Sequence, residues 1–253
     1  MSSPPPASDL STRVALITGA TRGIGRAIAA RFHTLGASVA ANARGAERAE
    51  AAARAIGEDV LAVPGDVTSA SDVASMMGAV IARFGRVDVL VNNAAVAYST
   101  PLDAIAEDEW RHTLDVNLTG PFLCVRAVIE PMRARKFGRI INIASLAGRS
   151  VSVVAGAHYT ASKAGLIGFT RAAARELGPH GITVNAICPG LIDTELLRDN
   201  TTRERRDALA AALPARRLGT ADEIARLACY LASDDAGFIT GAALDINGGS
   251  LMI

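Results

Sequence analysis

Short apolar runs alternate with longer helical ones from residue 13 to the end of the chain, and this alternation is what most constrains the fold. Residues 14–17, 38–41, 60–63, 87–91, 139–143, 182–187 and 243–246 read as strands. Between them, 25–35, 47–56, 70–84, a stretch from about 108 to 136, 159–177 and 221–231 read as helices. Gly36, Gly57, Gly85 and Gly178-Pro179 stand where four of these helices should stop. Gly120-Pro121 should interrupt the long stretch. The strand runs are continuously apolar rather than alternating, as expected when helices cover both faces of a sheet. Repeated strand–helix–strand order then means an α/β protein with a doubly wound parallel sheet of about seven strands. Functional residues are expected just after strands, at the carboxyl edge.

Residues 1–12, with Pro4-Pro5-Pro6 and four serines, read as a disordered N-terminal extension, and 13–253 as one domain. The extension lacks a basic segment followed by an apolar one, and no apolar run is long enough to cross a bilayer. A net charge of +1 argues against nucleic-acid binding. Three widely spaced cysteines without a CxxC, and scattered histidines, argue against a disulfide scaffold and a metal site and suit the cytoplasm.

Thr18-Gly19-Ala20-Thr21-Arg22-Gly23-Ile24-Gly25 follows the first strand. Its glycines allow a tight turn and let backbone approach a pyrophosphate at a helix N-terminus. The spacing is GxxxGxG rather than the usual GxGxxG; placed in the first strand–helix junction, it still reads as a Rossmann-type dinucleotide loop rather than a packing turn. After the second strand stands Arg44, with no acid before Glu47. An acid there would bind the ribose hydroxyls of NAD. Arg22 and Arg44 are instead placed to neutralise a 2′-phosphate, which predicts NADP(H) over NAD(H).

Tyr159 and Lys163 lie at i and i+4 on one helix face, and Ser145 follows the fifth strand. A cation beside a phenol favours the phenolate. A Tyr so tuned can exchange a proton with a carbonyl or alcohol oxygen while a nicotinamide exchanges a hydride with the carbon.

In these motifs the chain resembles the short-chain dehydrogenase/reductases, from about residue 11 to the C-terminus. Residues 18–25 look like that family's TGxxxGIG loop, and Asp66-Val67 like its adenine-contacting pair. Asn92-Asn93-Ala94-Ala95 is similar to its NNAG, with Ala95 replacing a glycine. Pro189-Gly190, Ile192 and Thr194 look like the segment that reaches the nicotinamide amide. The resemblance implies that Tyr159 is the general acid/base and that Lys163 holds the nicotinamide ribose and lowers the Tyr pKa. It likewise implies that Ser145 positions the substrate oxygen and that Asn117 anchors a water in a proton relay. Within the family the chain is most similar to the 3-oxoacyl-(acyl-carrier-protein) reductase branch. That likeness implies an acyl carrier protein docking on Arg135, Lys136 and Arg175, and a homotetramer built on the long helices. Residues 191–213 are expected to form a flexible lid, with a solvated amphipathic helix as the alternative. The leading expectation is an NADPH-dependent reductase of a ketone or 3-oxoacyl thioester. An NAD-linked dehydrogenase of a secondary alcohol or sugar, and a cofactor-binding regulator without turnover, are the alternatives.

Of 26 basic residues only Lys136 and Lys163 are lysine. Arg is a rigid, permanently charged fork, whereas Lys is a compact, tunable point charge. Lys163→Arg is therefore expected to lose most turnover and Lys136→Arg to keep it, as steady-state assays of the two variants would show.

Overall fold

In the computed structural model, which describes residues 9–252, all seven strands run parallel in one sheet, ordered β3-β2-β1-β4-β5-β6-β7. The strands are β1 (Val14–Ile17), β2 (Ser38–Ala43), β3 (Leu61–Pro64), β4 (Val89–Asn92), β5 (Gly138–Ile143), β6 (Ile182–Pro189) and β7 (Ala243–Ile246). The helices are α1 (Gly23–Thr34), α2 (Ala46–Ile56), α3 (Ala70–Phe84), α4 (Glu107–Leu114), α5 (Gly120–Arg135), α6 (Ala157–Leu177), α7 (Glu195–Asp199), α8 (Arg203–Ala212) and α9 (Ala221–Ala232).

Successive strand residues explain the unbroken apolar runs. Ala15 and Ile17 of β1, with Val89, Val91, Ile141 and Ile143, pack against Ile28 and Phe32 of α1 and Ala225 and Ala228 of α9. Val14 and Leu16, with Leu90 and Ile140, pack on the other face against Val73 and Met76 of α3 and Val125 and Val128 of α5. Fully burying a large apolar side chain contributes about 1.5–3 kcal/mol, so neither face of a strand can be polar cheaply.

Strand order reverses between β1 and β4, which pair in parallel from Ala15↔Val89 to Ile17↔Val91. Connections from these two neighbours leave in opposite directions and open a crevice at their carboxyl ends.

Some boundaries differ from the sequence reading. Gly36 and Gly85 do close α1 and α3, Gly85 donating to the Ile81 carbonyl at 2.7 Å. α6 also ends as expected, at Leu177 with Gly178 as its C-cap, and a tight turn, Gly178–His180, then leads to Gly181. The long helix is interrupted just before Gly120, where Asp115–Thr119 widens into a π turn as the Gly120 N–H reaches the Asp115 carbonyl. The predicted extension ends early: residues 1–8 lie outside the described residues, but Leu10 is fully buried and its N–H donates to the Leu35 carbonyl at 3.2 Å. The apolar space beneath α1 accounts for that capture. The segment expected to be a flexible lid or an amphipathic helix holds two helices, α7 and α8, anchored by buried Leu197 and Leu213. Among the described residues, no helix is long and apolar enough to cross a membrane.

Candidate active site

A cleft of about 740 Å3 opens at the β1–β4 crevice. Gly19, Thr21, Arg22, Gly23 and Ile24 form one wall; Arg44, Asp66, Val67, Asn93, Ala94 and Thr194 also line it. Gly19 and Gly23 have φ of +66° and +56°, the left-handed region that favours glycine. A Cβ on Gly19 would also stand 2.8 Å from Ala94 Cα. Gly25 lies behind the loop, where a Cβ would collide with the Asn93 side chain and the Gly19 carbonyl. Arg22 is the N-cap of α1 but makes no side-chain cap, and the first turn of α1 holds no acid. The free N–H groups and positive end of the helix suit an anion.

Buried polar side chains hold this loop. Thr18 Oγ1 accepts the N–H groups of Asn93 and Ala94 at 3.0 and 3.1 Å. Asn93 Nδ2 donates to the carbonyls of Thr18 and Gly19, both at 3.0 Å. Asn42 at the end of β2 accepts the Gly19 N–H at 3.3 Å and donates to the carbonyls of Val63 and Gly65 at 3.0 Å. The sequence reading missed Asn42; a lone amide within an apolar strand was its only signal.

At the outer end of the cleft, Arg44 is exposed and is joined by Arg48 from the first turn of α2. Neither forms an ion pair among the described residues. Arg48 was also missed, and Arg22 instead meets Asp199 of α7 at 3.0 Å. Asp66 Oδ1 is taken up by Thr68, whose N–H and hydroxyl it accepts at 2.9 and 2.8 Å. Ala95 is unstrained, because among the described residues the only non-glycine ones with positive φ are Lys136 and Arg216. Pro189 and Gly190 end β6 against Asn247, while Ile192 lines a separate cavity of about 80 Å3.

At the inner end, Asn117 in the π turn is wholly buried. Its amide clasps the Val96 backbone from both sides at 2.9 Å and donates to Ser162 Oγ at 3.0 Å. Ser162 in turn donates to the Tyr159 carbonyl at 2.7 Å. Pro121 has no N–H to return to the Asn117 carbonyl. Lys163 is 3% exposed; its Nζ donates to the Ile143 carbonyl at 2.8 Å and lies 5.7 Å from the Tyr159 ring centre. Ser145 Oγ accepts the Ala147 N–H at 3.1 Å, capping the turn that carries the chain away from β5.

The electrostatics differ from the sequence reading. Burial raises the Tyr159 phenol above its ordinary value, and the Ser145 hydroxyl opposes that rise. Burial also pushes the Lys163 amine down to about 8. Removal from water dominates both shifts, outweighing the Ser145 hydroxyl at Tyr159 and the Cys188 thiol at Lys163.

The family model described as Enoyl-(Acyl carrier protein) reductase matches residues 19–250. The 3-oxoacyl-(acyl-carrier-protein) reductase of Escherichia coli strain K12 is 40% identical over 241 residues, covering 95% of this chain and 98% of the relative. The enzyme so named in Staphylococcus aureus strain Mu50 is 41% identical over 245 residues, covering 95% and 99%. A solved short-chain type dehydrogenase/reductase from Mycobacterium marinum superposes with a TM-score of 0.91 at 33% identity, covering 98% of each chain.

The depressed Lys163 value fixes a pH dependence. Between about 8 and the ordinary 10.5 the unfolded chain holds the extra proton. The stability cost of burying Lys163 is therefore complete below pH 8 and fades as pH rises to 10.5. Lys163→Met is expected to be more stable than the natural chain at pH 7, by on the order of 1–3 kcal/mol. Urea unfolding at pH 7, 9 and 10.5 should show that advantage vanishing upward.

Proposed function

The chain belongs to the short-chain dehydrogenase/reductases, NAD(P)-dependent oxidoreductases acting on alcohol and carbonyl groups, and on that premise we propose that it is an NADPH-dependent reductase of ketones or 3-oxoacyl thioesters. The observation that carries this reading is the layout of one sheet edge. Arg22, Arg44 and Arg48 stand at one end of the cleft, and Ser145, Tyr159 and Lys163 stand beyond Val96 at the other.

A dinucleotide fits these residues. The glycine turn and the α1 N-terminus suit its pyrophosphate; Arg44 and Arg48, free of ion pairs among the described residues, suit a 2′-phosphate. Asp66-Val67 would face the adenine, Lys163 the nicotinamide ribose, and Thr194 with the Pro189-Gly190 segment the nicotinamide amide. When bound, the cofactor supplies a hydride.

The protein's own part is proton transfer. Tyr159 gives its phenolic proton to the carbonyl oxygen, and Ser145 holds that oxygen. Lys163, relayed by a water that the Asn117 carbonyl would hold, returns a proton from solvent. The upward direction of the Tyr159 pKa supports reduction, since a neutral phenol is the form that can donate. An alcohol dehydrogenase would need the phenolate, and NAD would favour an acid where Ala43 and Arg44 stand.

The oxoacyl assignment rests on the relatives at 40–41% identity. Arg135 and Lys136 lie where α5 returns to the start of β5, at the sheet edge opposite Ser145. A carrier protein docked there would serve the cleft of a neighbouring copy, in keeping with a homotetramer built on α5 and α6. A cytoplasmic location suits the three free, buried cysteines.

Tyr159→Phe is expected to cut kcat on a 3-oxoacyl thioester by about 10²-fold or more while leaving the NADPH Kd unchanged. Full activity in that variant, or reduction of an enoyl thioester alone by the natural enzyme, would overturn the reading. Arg44→Ala and Arg48→Ala are each expected to lower kcat/KM for NADPH about tenfold or more and to leave NADH nearly unaffected. Equal losses with both cofactors would remove the 2′-phosphate assignment.

A further inference from the structure

The rod formed by α4 and the π turn touches the first two turns of α6 through two polar contacts. One is Asn117 to Ser162, already described. The other joins Glu109 of α4 to His158, the residue immediately before Tyr159: Glu109 Oε1 stands 3.0 Å from His158 Nε2. His158 and Ser162 lie one helical turn apart and bracket Tyr159.

His158 is wholly buried, and the sequence reading assigned it nothing. Its close contact with the Glu109 carboxylate lies off the line of a hydrogen bond, and neither ring nitrogen has a hydrogen-bonding partner among the described residues. The Tyr98 ring stacks on the imidazole, with centroids 6.1 Å apart and planes 19° from parallel. The Tyr98 carbonyl accepts the N–H of Gly156, the N-cap of α6, at 2.7 Å. That cap position carries no side chain to satisfy the helix end. A Cβ at Gly156 would stand 2.7 Å from His158 Cε1 and 2.8 Å from the Thr100 carbonyl oxygen. Glycine thus forgoes a capping hydroxyl where only glycine leaves room for the imidazole.

A buried imidazole with an unpaired nitrogen costs stability, and an apolar side chain would fill the space without that cost. A charged partner, a stacked ring and a dedicated glycine nevertheless converge on it. We infer that His158, held by Glu109 and Tyr98, is a positioning residue that sets the first turn of α6, and with it the Tyr159 phenol, against Ser145 and Lys163. The inference rests on the reading of Tyr159 as proton donor. Asn117–Ser162 fixes the turn on the carboxyl side of Tyr159, and Glu109–His158 fixes it on the amino side. A reacting group displaced by about 1 Å can lose on the order of 10²-fold in rate, so two anchors on one rod have a kinetic consequence.

The test compares Glu109→Gln, which keeps the size and removes the charge, with Gly156→Ala, which crowds the imidazole. Each is expected to lower kcat with NADPH and a ketone about tenfold or more, with KM and Kd for NADPH within about twofold. A second readout needs no turnover. The phenolate absorbance of Tyr159, taken as the difference between each protein and its Tyr159→Phe counterpart, gives the ionisation midpoint of that phenol. In both variants it should fall by about half a pH unit or more toward the ordinary value near 10, because a loosened turn lets water reach the ring. If the natural enzyme reduces no carbonyl yet the midpoint shifts, the proposed reaction fails and the positioning stands. Unchanged kcat and midpoint in both variants would overturn the positioning. So would a loss of kcat matched by an equal loss of NADPH affinity, which marks general damage.

Discussion

Seven strands running the same way leave the chain no freedom over where its loops collect. Each strand must start at one edge of the sheet and finish at the other, and each return must cross a face as helix. Apolar residues then occupy both faces, and every polar residue that needs an open cleft is confined to the ends of strands and the first turns of helices. Thr18, Asn42, Asn93 and Ser145 follow or end β1, β2, β4 and β5, while Arg48 and Tyr159 stand in the first turns of α2 and α6. The hydrogen bonds among Thr18, Asn42 and Asn93 are possible only because the sheet brings β2, β1 and β4 side by side. They rigidify the loop from below, so an anion meets backbone already in place.

What the sequence showed and what it hid divide along physical lines. The strand run Val14–Ile17 was legible because burial on both faces leaves a continuous apolar signature. The glycine loop was legible because its positive φ angles demand that residue. The π turn was not, because widening a helix by one residue leaves hydrophobic spacing almost intact; only Gly120-Pro121 hinted at a break. The division of residues 191–213 into α7 and α8 was not legible, because both are polar: Leu197 is their one buried side chain. Arg48 and His158 gain meaning only from what α2 and α6 bring them beside. The electrostatic reading failed differently. A Lys one turn from a Tyr is visible in the sequence, but the loss of water around both is not.

The site therefore shifts two groups away from their ordinary ionisation. A lysine that would be fully charged in water is shifted to about 8, and a phenol is held more firmly protonated than usual. Both shifts come from the dry setting between β5 and α6, where Lys163 still satisfies the Ile143 carbonyl. A proton donor that keeps its proton until a basic oxygen arrives suits reduction, and a lysine near its midpoint passes a proton readily in either direction. The low-dielectric setting that destabilises the fold at this point is the one in which short-range electrostatics are strongest.

The pairing of Arg22 with Asp199 carries a separate consequence. It fastens α7 to the phosphate loop through two side chains that are about half exposed, 54% and 56%. Such a bond is screened by dissolved ions, over about 8 Å at physiological ionic strength. Any phosphate entering the cleft would compete for the same guanidinium. The segment carrying α7 is thus fastened in part by a charge that an arriving anion could claim and that dissolved salt weakens, so its hold on the phosphate loop depends on the ionic surroundings as well as on the fold.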